Sequence, residues 1–187
     1  MAIVLRGANS GVSGGSSPLT LTNPTSTITD EIVIVYTNDT GVAASTPSGF
    51  AQKYSSSHTS DTLLTQMFIG NSTASTIDVS GFTGDSKALI LAYYDDGGGT
   101  LTFGTEVIDN SSVGTSAVGP ITSANSSTLL GVWTNDSQSS VSTPPTGMTS
   151  RAASVSGVSV AINAYDEAIT TGGTENRTLV YSSDATI

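Results

Sequence analysis

Short blocks of apolar and β-branched residues alternate with clusters of Gly, Pro, Asn, Asp and Ser along the chain. The strongest blocks lie at residues 31–36, 63–69 and 87–94, and turn clusters separate them at fairly regular spacing. No window has the spacing of an amphipathic helix. This pattern predicts an all-β protein, an antiparallel β-sandwich of the immunoglobulin-like or jelly-roll-like kind.

The composition narrows the classes of function. The chain has 187 residues, no cysteine and a formal net charge of −10. Its length allows a substantial core, and the lack of cysteine excludes disulfides and thiolate metal sites. The five basic residues are scattered, so no basic stripe is available to neutralise phosphates. We therefore expect neither nucleic acid nor a membrane as a partner.

An internal self-match is the most informative feature of the sequence. The letters IVYTND at 34–39 correspond to GVWTND at 131–136, and STPSGF at 45–50 corresponds to STPPTGM at 142–148. In each copy a strand carries an aromatic residue, Asn-Asp closes that strand, and a Thr-Pro turn with Gly begins the next. The match predicts an imperfect pseudo-repeat, and it leaves open whether the halves form two sandwiches or one continuous pair of sheets.

The repeat divides the chain into three predicted parts. Residues 1–17 form an N-terminal strand and a flexible Gly/Ser linker, residues 18–110 the first β-sandwich repeat, and residues 111–187 the second. The first repeat ends in an apolar strand at 88–93 that has no counterpart in the second. Because residues 2–6 resemble that strand, we expect them to complete the second repeat, either within one chain or from a neighbouring subunit.

Residues that carry chemistry are sparse. His58 is the only histidine, and its Ser-rich surroundings indicate an exposed loop, with no Gly-X-Ser-X-Gly elbow for a hydrolase. Asp95 and Asp96 precede three glycines, which favours a hairpin turn over a calcium loop. The aromatic content of 6% disfavours a sugar-active enzyme, although paired carboxylates meet only in the fold. We predict no enzymatic activity, no cofactor and no metal site.

The motifs resemble a β-sandwich module found in tailed-bacteriophage structural proteins and some bacterial surface proteins. The matching stretches are 46–50 and 88–94 in the first half and 143–148 in the second. Phe50 and Met148 stand where that module has Trp, and the second half lacks the closing Tyr-containing strand. The resemblance covers about two-thirds of the chain.

The resemblance implies a capsid decoration (cement) protein on the outer surface of a virus head, made in the host cytoplasm. Its partner is then the major capsid protein, and the chain is expected to form trimers or dimers. Alternatives are a tail-fibre or receptor-binding module and a bacterial surface adhesin. The candidate contact residues are the apolar N-terminal strand and the two basic residues at corresponding repeat positions, namely Ala2, Ile3, Val4, Leu5, Arg6, Lys53 and Arg151.

Overall fold

The computed structural model describes residues 3–57, 62–96, 101, 115–136, 139–154 and 158–181. These residues form thirteen β-strands and no helix. The strands are β1 (Ile3–Gly14), β2 (Leu19–Thr22), β3 (Glu31–Asn38), β4 (Phe50–Ser57), β5 (Leu64–Gly70), β6 (Thr76–Val79), β7 (Asp85–Asp95), β8 (Thr115–Thr122), β9 (Ser127–Asn135), β10 (Val141–Thr143), β11 (Thr149–Ser154), β12 (Ala161–Ile169) and β13 (Thr174–Tyr181).

All the strand pairings are antiparallel, and the prediction of an all-β antiparallel sandwich is confirmed. The largest sheet has five strands in the order β1-β7-β3-β5-β4. Two sheets have three strands each, in the orders β11-β12-β9 and β10-β13-β8, and β2 pairs with β6 in a small fourth sheet.

The five-stranded sheet is covered on both faces. Side chains alternate along a strand, so Ile32, Ile34 and Tyr36 of β3 point to one face while Val33 and Val35 point to the other. All five are at most 1% exposed. Burial on both faces explains why β3 and β7 are nearly continuous apolar runs.

Three apolar clusters join the sheets into a four-layer stack. The first packs the β2–β6 sheet on the five-stranded sheet, through Leu19, Leu21 and Ile77. The second packs the opposite face of the five-stranded sheet on the β11-β12-β9 sheet, through Leu89, Leu91 and Ile162 among others. The third contains Trp133, Tyr165, Leu179 and Tyr181 and packs that sheet on the β10-β13-β8 sheet. The sheets thus form two sandwiches stacked face to face.

The two sandwiches share several pairings, although the pseudo-repeat itself stays a prediction from the sequence. β3 pairs with β5 and β5 with β4, just as β9 pairs with β12 and β12 with β11. Asn38 donates from Nδ2 to the Val42 carbonyl at 2.6 Å, and Asn135 donates from Nδ2 to the Ser139 carbonyl at 3.4 Å. Gly49 and Gly147 both have a φ of 85°, which favours glycine at the end of each turn.

Two predictions about the N-terminus are wrong. The segment expected to be a flexible linker is strand as far as Gly14, because β1 pairs with β7 from Ile3 to Gly14. Gly11 permits this arrangement, since a Cβ there would lie 2.9 Å from side-chain atoms of Leu19 and Leu21. The N-terminal strand also extends the five-stranded sheet and does not complete the second one by hydrogen bonding. The domain limits at 17 and 110 stay predictions.

Candidate interaction surface

The predicted N-terminal contact residues are largely used inside the fold. Ile3 and Leu5 are half-buried and pack against the apolar cluster between the five-stranded sheet and the β11-β12-β9 sheet. The Ile3 carbonyl also accepts a hydrogen bond from Thr128 Oγ1 at 3.2 Å, and Val4 is half-buried. Ala2 lies outside the described residues. The apolar arm is therefore not a free strand that can be offered to a partner.

Arg6 is held against its own sheet. It is the extra residue of a β-bulge, since Leu5 and Gly7 pair with the adjacent residues Tyr93 and Ala92. Its guanidinium forms an ion pair with the fully buried carboxylate of Asp30 and lies 4.4 Å from the centre of the Tyr94 ring.

Lys53 and Arg151 occupy the same kind of site on two different sheets. Lys53 is the extra residue of a bulge in β4, between Gln52 and Tyr54. Arg151 is the extra residue of a bulge in β11, between Ser150 and Ala152. β4 and β11 are edge strands of their sheets, so each cation lies where the hydrogen-bond pairing of an edge strand is interrupted. The correspondence of the two residues in the repeat stays a prediction, and the structure places them on different sheets.

Bulges and charges on an edge strand hinder pairing with another strand. In the described part of the chain each of the four sheets has two edges, and seven of these eight carry a recognised obstacle. Arg6, Lys53 and Arg151 form charged bulges on β1, β4 and β11, and exposed Pro120 interrupts β8. β2 and β6 have only four residues each, and β10 has three. The positions of Lys53 and Arg151 thus fit charges that protect the edges of their sheets.

The eighth edge is different. β9 has nine residues, none of them charged and none of them proline. Its pairing with β12 runs from Ser127 to Asn135 without a register shift, and its other side has no partner strand among the described residues. This feature was not among the predictions from the sequence. The signal was available, because residues 127–135 contain no charge whereas every other edge of comparable length has a cation or proline.

Arg151 also belongs to a contact between the two sandwiches. Its Nε donates to Asp166 Oδ1 at 2.5 Å, and Tyr93 of β7 donates its hydroxyl proton to Asp166 Oδ2 at 3.2 Å. Burial is the main reason that the pKa of Tyr93 is raised, and the negative charge of Asp166 adds to the effect. The carboxylate is buried and is stabilised by two donors from different layers.

A second polar contact joins the sandwiches at the other end of β7. Ser159 donates from its backbone N–H to Asp85 Oδ2 at 3.1 Å and from its hydroxyl to Asp39 Oδ2 at 2.6 Å. Lys87 lies on the same face of β7 as Leu89 and is fully buried, which lowers the pKa of its amine to about 8. In the sequence Lys87 is one of the five scattered basic residues, and its place at the start of an apolar run is the signal that could have indicated its burial.

Other candidate chemistry is limited in the described part of the chain. No group of three or more His, Asp or Glu side chains there could hold a metal ion, and no helix there is long and apolar enough to cross a membrane. Asp95 ends β7 and Asp96 begins a turn. His58 lies outside the described residues.

Comparison of the chain with protein-family models, curated proteins and solved structures finds no match.

Proposed function

We propose that this chain is a non-enzymatic structural protein of a virus particle, of the capsid decoration type. The observation that carries the proposal is the stack of two sandwiches, which are joined across an apolar interface by the Tyr93–Asp166 and Asp39–Ser159 contacts. A stacked body of this kind transmits load between its two ends, because the interior of the interface is closely packed. The sequence motifs shared with virion sandwich modules point the same way.

The proposed partner is the major capsid protein of the same virus. A decoration protein acts by adding contact area across neighbouring capsid subunits, and each copy needs only a modest interface when many copies bind. Lys53 is the candidate contact for an acidic capsid residue, because its side chain is exposed and it forms no ion pair among the described residues. Arg151 is a weaker candidate, since Asp166 already binds its guanidinium.

The absence of catalysis is part of the proposal. The groups with shifted pKa values include Glu31, Tyr36, Lys87 and Tyr93, and they lie in or beside strands of the five-stranded sheet. Burial is the largest cause of the shift for each of them. Structural burial therefore accounts for these values without a catalytic role.

The test begins with location. Antibody raised against the protein is used to gold-label particles purified from its source, and label over icosahedral heads is the expected result. Heads from which the protein has been stripped should then lose heat stability, and adding the native protein back should restore it. Label only at tail tips would replace the proposal with receptor binding, and label only on cells would replace it with a surface adhesin.

The contact residue is tested on the same stripped heads. Lys53→Glu should weaken rebinding, because it reverses the charge of the stronger candidate contact, whereas Glu175→Lys, a charge reversal in the β10-β13-β8 sheet, should not. Equal rebinding by both variants would remove Lys53 from the interface without affecting the location result.

A further inference from the structure

Among the described residues, β9 has no partner strand on the side away from β12, and this edge has the properties of one that receives a partner. All nine of its residues are buried or half-buried, and none carries a charge. No charged residue occurs between Asp109 and Asp136, so no side chain of β9 opposes the approach of a second chain by its charge. Long, regular and uncharged edges are the ones that pair with another chain.

Buried polar groups behind this edge lack hydrogen bonds. Trp133 Nε1 and Asn163 Nδ2 are buried and have no hydrogen-bond partner in the described structure. In the first sandwich Tyr36 has the position that Trp133 has in the second, and its hydroxyl lies 3.1 Å from Ser86 Oγ. Ser86 comes from β7, the strand that flanks β3 on its other side. The second sandwich has no described strand in the place of β7.

We infer that the free edge of β9 binds the β9 edge of a second copy of this chain, in antiparallel orientation. A second copy is favoured as the partner because the other described edges are protected against pairing. A bulged cation or a proline protects β1, β4, β8 and β11, and β2, β6 and β10 are short. Among the described strands β9 is the one long edge without such an obstacle, so a second copy pairs with it through its own β9 and the contact is the same patch on both chains. Such an isologous contact closes after two copies and forms no fibre.

The sequence of β9 is compatible with pairing to itself. A register symmetric about Gly131 places Leu130 of one copy opposite Val132 of the other. Both residues lie on the face that packs on the five-stranded sheet, so the pair extends an apolar surface. Asp136 then falls opposite Ser126 of the other copy, and no like charges face each other across the junction.

This inference stands apart from the proposed function, since it concerns contact between copies and not attachment to a capsid. Its test is the molar mass of the purified native chain, measured by sedimentation equilibrium over a dilution series. The expected result is a dimer that dissociates on dilution into two folded monomers.

Two variants locate the contact. Leu129→Lys puts a charge on the β9 edge at a half-buried residue outside the apolar clusters, and it should convert the dimer to a monomer. Ala51→Lys is the matched control, because it adds the same charge at an exposed position of the protected β4 edge and should leave the dimer intact. A thermal melt of each variant shows that the fold is retained.

Three results would overturn the inference. The native chain can remain monomeric up to millimolar concentration, it can form oligomers that grow without closing, or Leu129→Lys can dimerise as tightly as the native chain. The first two need no variant, so they decide the question even if Leu129→Lys does not fold.

Discussion

β3 and β9 have corresponding places in the two sandwiches, yet their surroundings differ. β3 is paired on both sides, by β5 and β7, and seven of its eight residues are at most 1% exposed. β9 is paired by β12 alone in the described structure, and most of its residues are only half-buried. The aromatic residues of the two strands show the same difference. The Tyr36 hydroxyl has hydrogen-bonding neighbours, whereas Trp133 Nε1 has none in the described structure.

The difference shows that a neighbouring strand supplies more than backbone hydrogen bonds. β7 buries the side chains of β3 and brings Ser86 to the hydroxyl of Tyr36. It also carries Lys87 and Tyr93 into the interface between the sandwiches. A sheet without that strand keeps an open ladder and incompletely bonded groups, which a second chain can cover.

The largest expected effect is on the free energy of unfolding, and it should be larger for a leucine of the covered strand β7 than for a leucine of the open strand β9. Leu91→Ala in β7 removes a fully buried side chain and should lower the free energy of unfolding by about 3–5 kcal/mol. Leu130→Ala in β9 removes a half-buried one and should lower it by about 1–2 kcal/mol in the monomer. Urea denaturation at low protein concentration measures both losses. Equal losses would contradict the claim that β9 is less completely covered than β7.

The next effect concerns the hydrogen bond that joins β7 to the second sandwich. Tyr93→Phe should lower the free energy of unfolding by about 1.5–3 kcal/mol, because Asp166 loses one donor to a buried charge. Tyr94→Phe is the control on the same strand, and it should change stability by less than about 0.5 kcal/mol. A double-mutant cycle with Arg151→Met should give a coupling energy clearly different from zero, since both residues bind the same carboxylate.

Lys87 predicts a pH dependence of stability. The pKa of its amine is about 8 in the folded chain and 10.5 in a free side chain. At a pH between these two values, folding therefore releases a proton from the amine. The free energy of unfolding should therefore rise with pH above 8, until the buried tyrosines begin to oppose it above pH 10. Lys87→Met should remove most of this rise, as measured by urea denaturation at several pH values. An identical rise in the variant would assign the dependence to another group.

The smallest effect on stability is expected at the protected edge of β4. The same change should increase self-association of the chain. Lys53→Thr leaves the β4 bulge in place but removes its charge, and it should change the free energy of unfolding by less than about 0.5 kcal/mol. It should nevertheless increase self-association beyond the dimer, whereas Lys53→Arg should not. Light scattering on heating is the measurement. Unchanged scattering would mean that the bulge alone protects this edge.

Local pattern was enough to predict the fold class and most strands, because the apolar runs of β3, β5 and β7 and the turns between them are encoded in nearby residues. The layer order was not predictable in the same way. Which face of β3 meets the second sandwich depends on contacts such as Thr65 with Thr134, whose Oγ1 atoms lie 2.8 Å apart. These residues are 69 positions apart in the sequence.

The N-terminus shows why the candidate surface was harder to predict. Residues 9–14 contain Gly, Ser and Asn and indicate a linker by composition, but β7 imposes strand geometry on them through pairing. Lys53 and Arg151 stay predicted contact residues, and their place at sheet edges follows from bulges that are visible only in the pairing. The open edge of β9 is a relation between strands, and single-strand patterns do not contain it.

Hydrogen–deuterium exchange of the native chain at low and high concentration tests the central claim, that β9 is the edge open to a partner. Peptides covering residues 127–135 should exchange more slowly at high concentration, while peptides from β1, β4 and β11 should exchange at the same rate at both concentrations. Protection that appears at β1, β4 or β11, with β9 unchanged, would contradict the account.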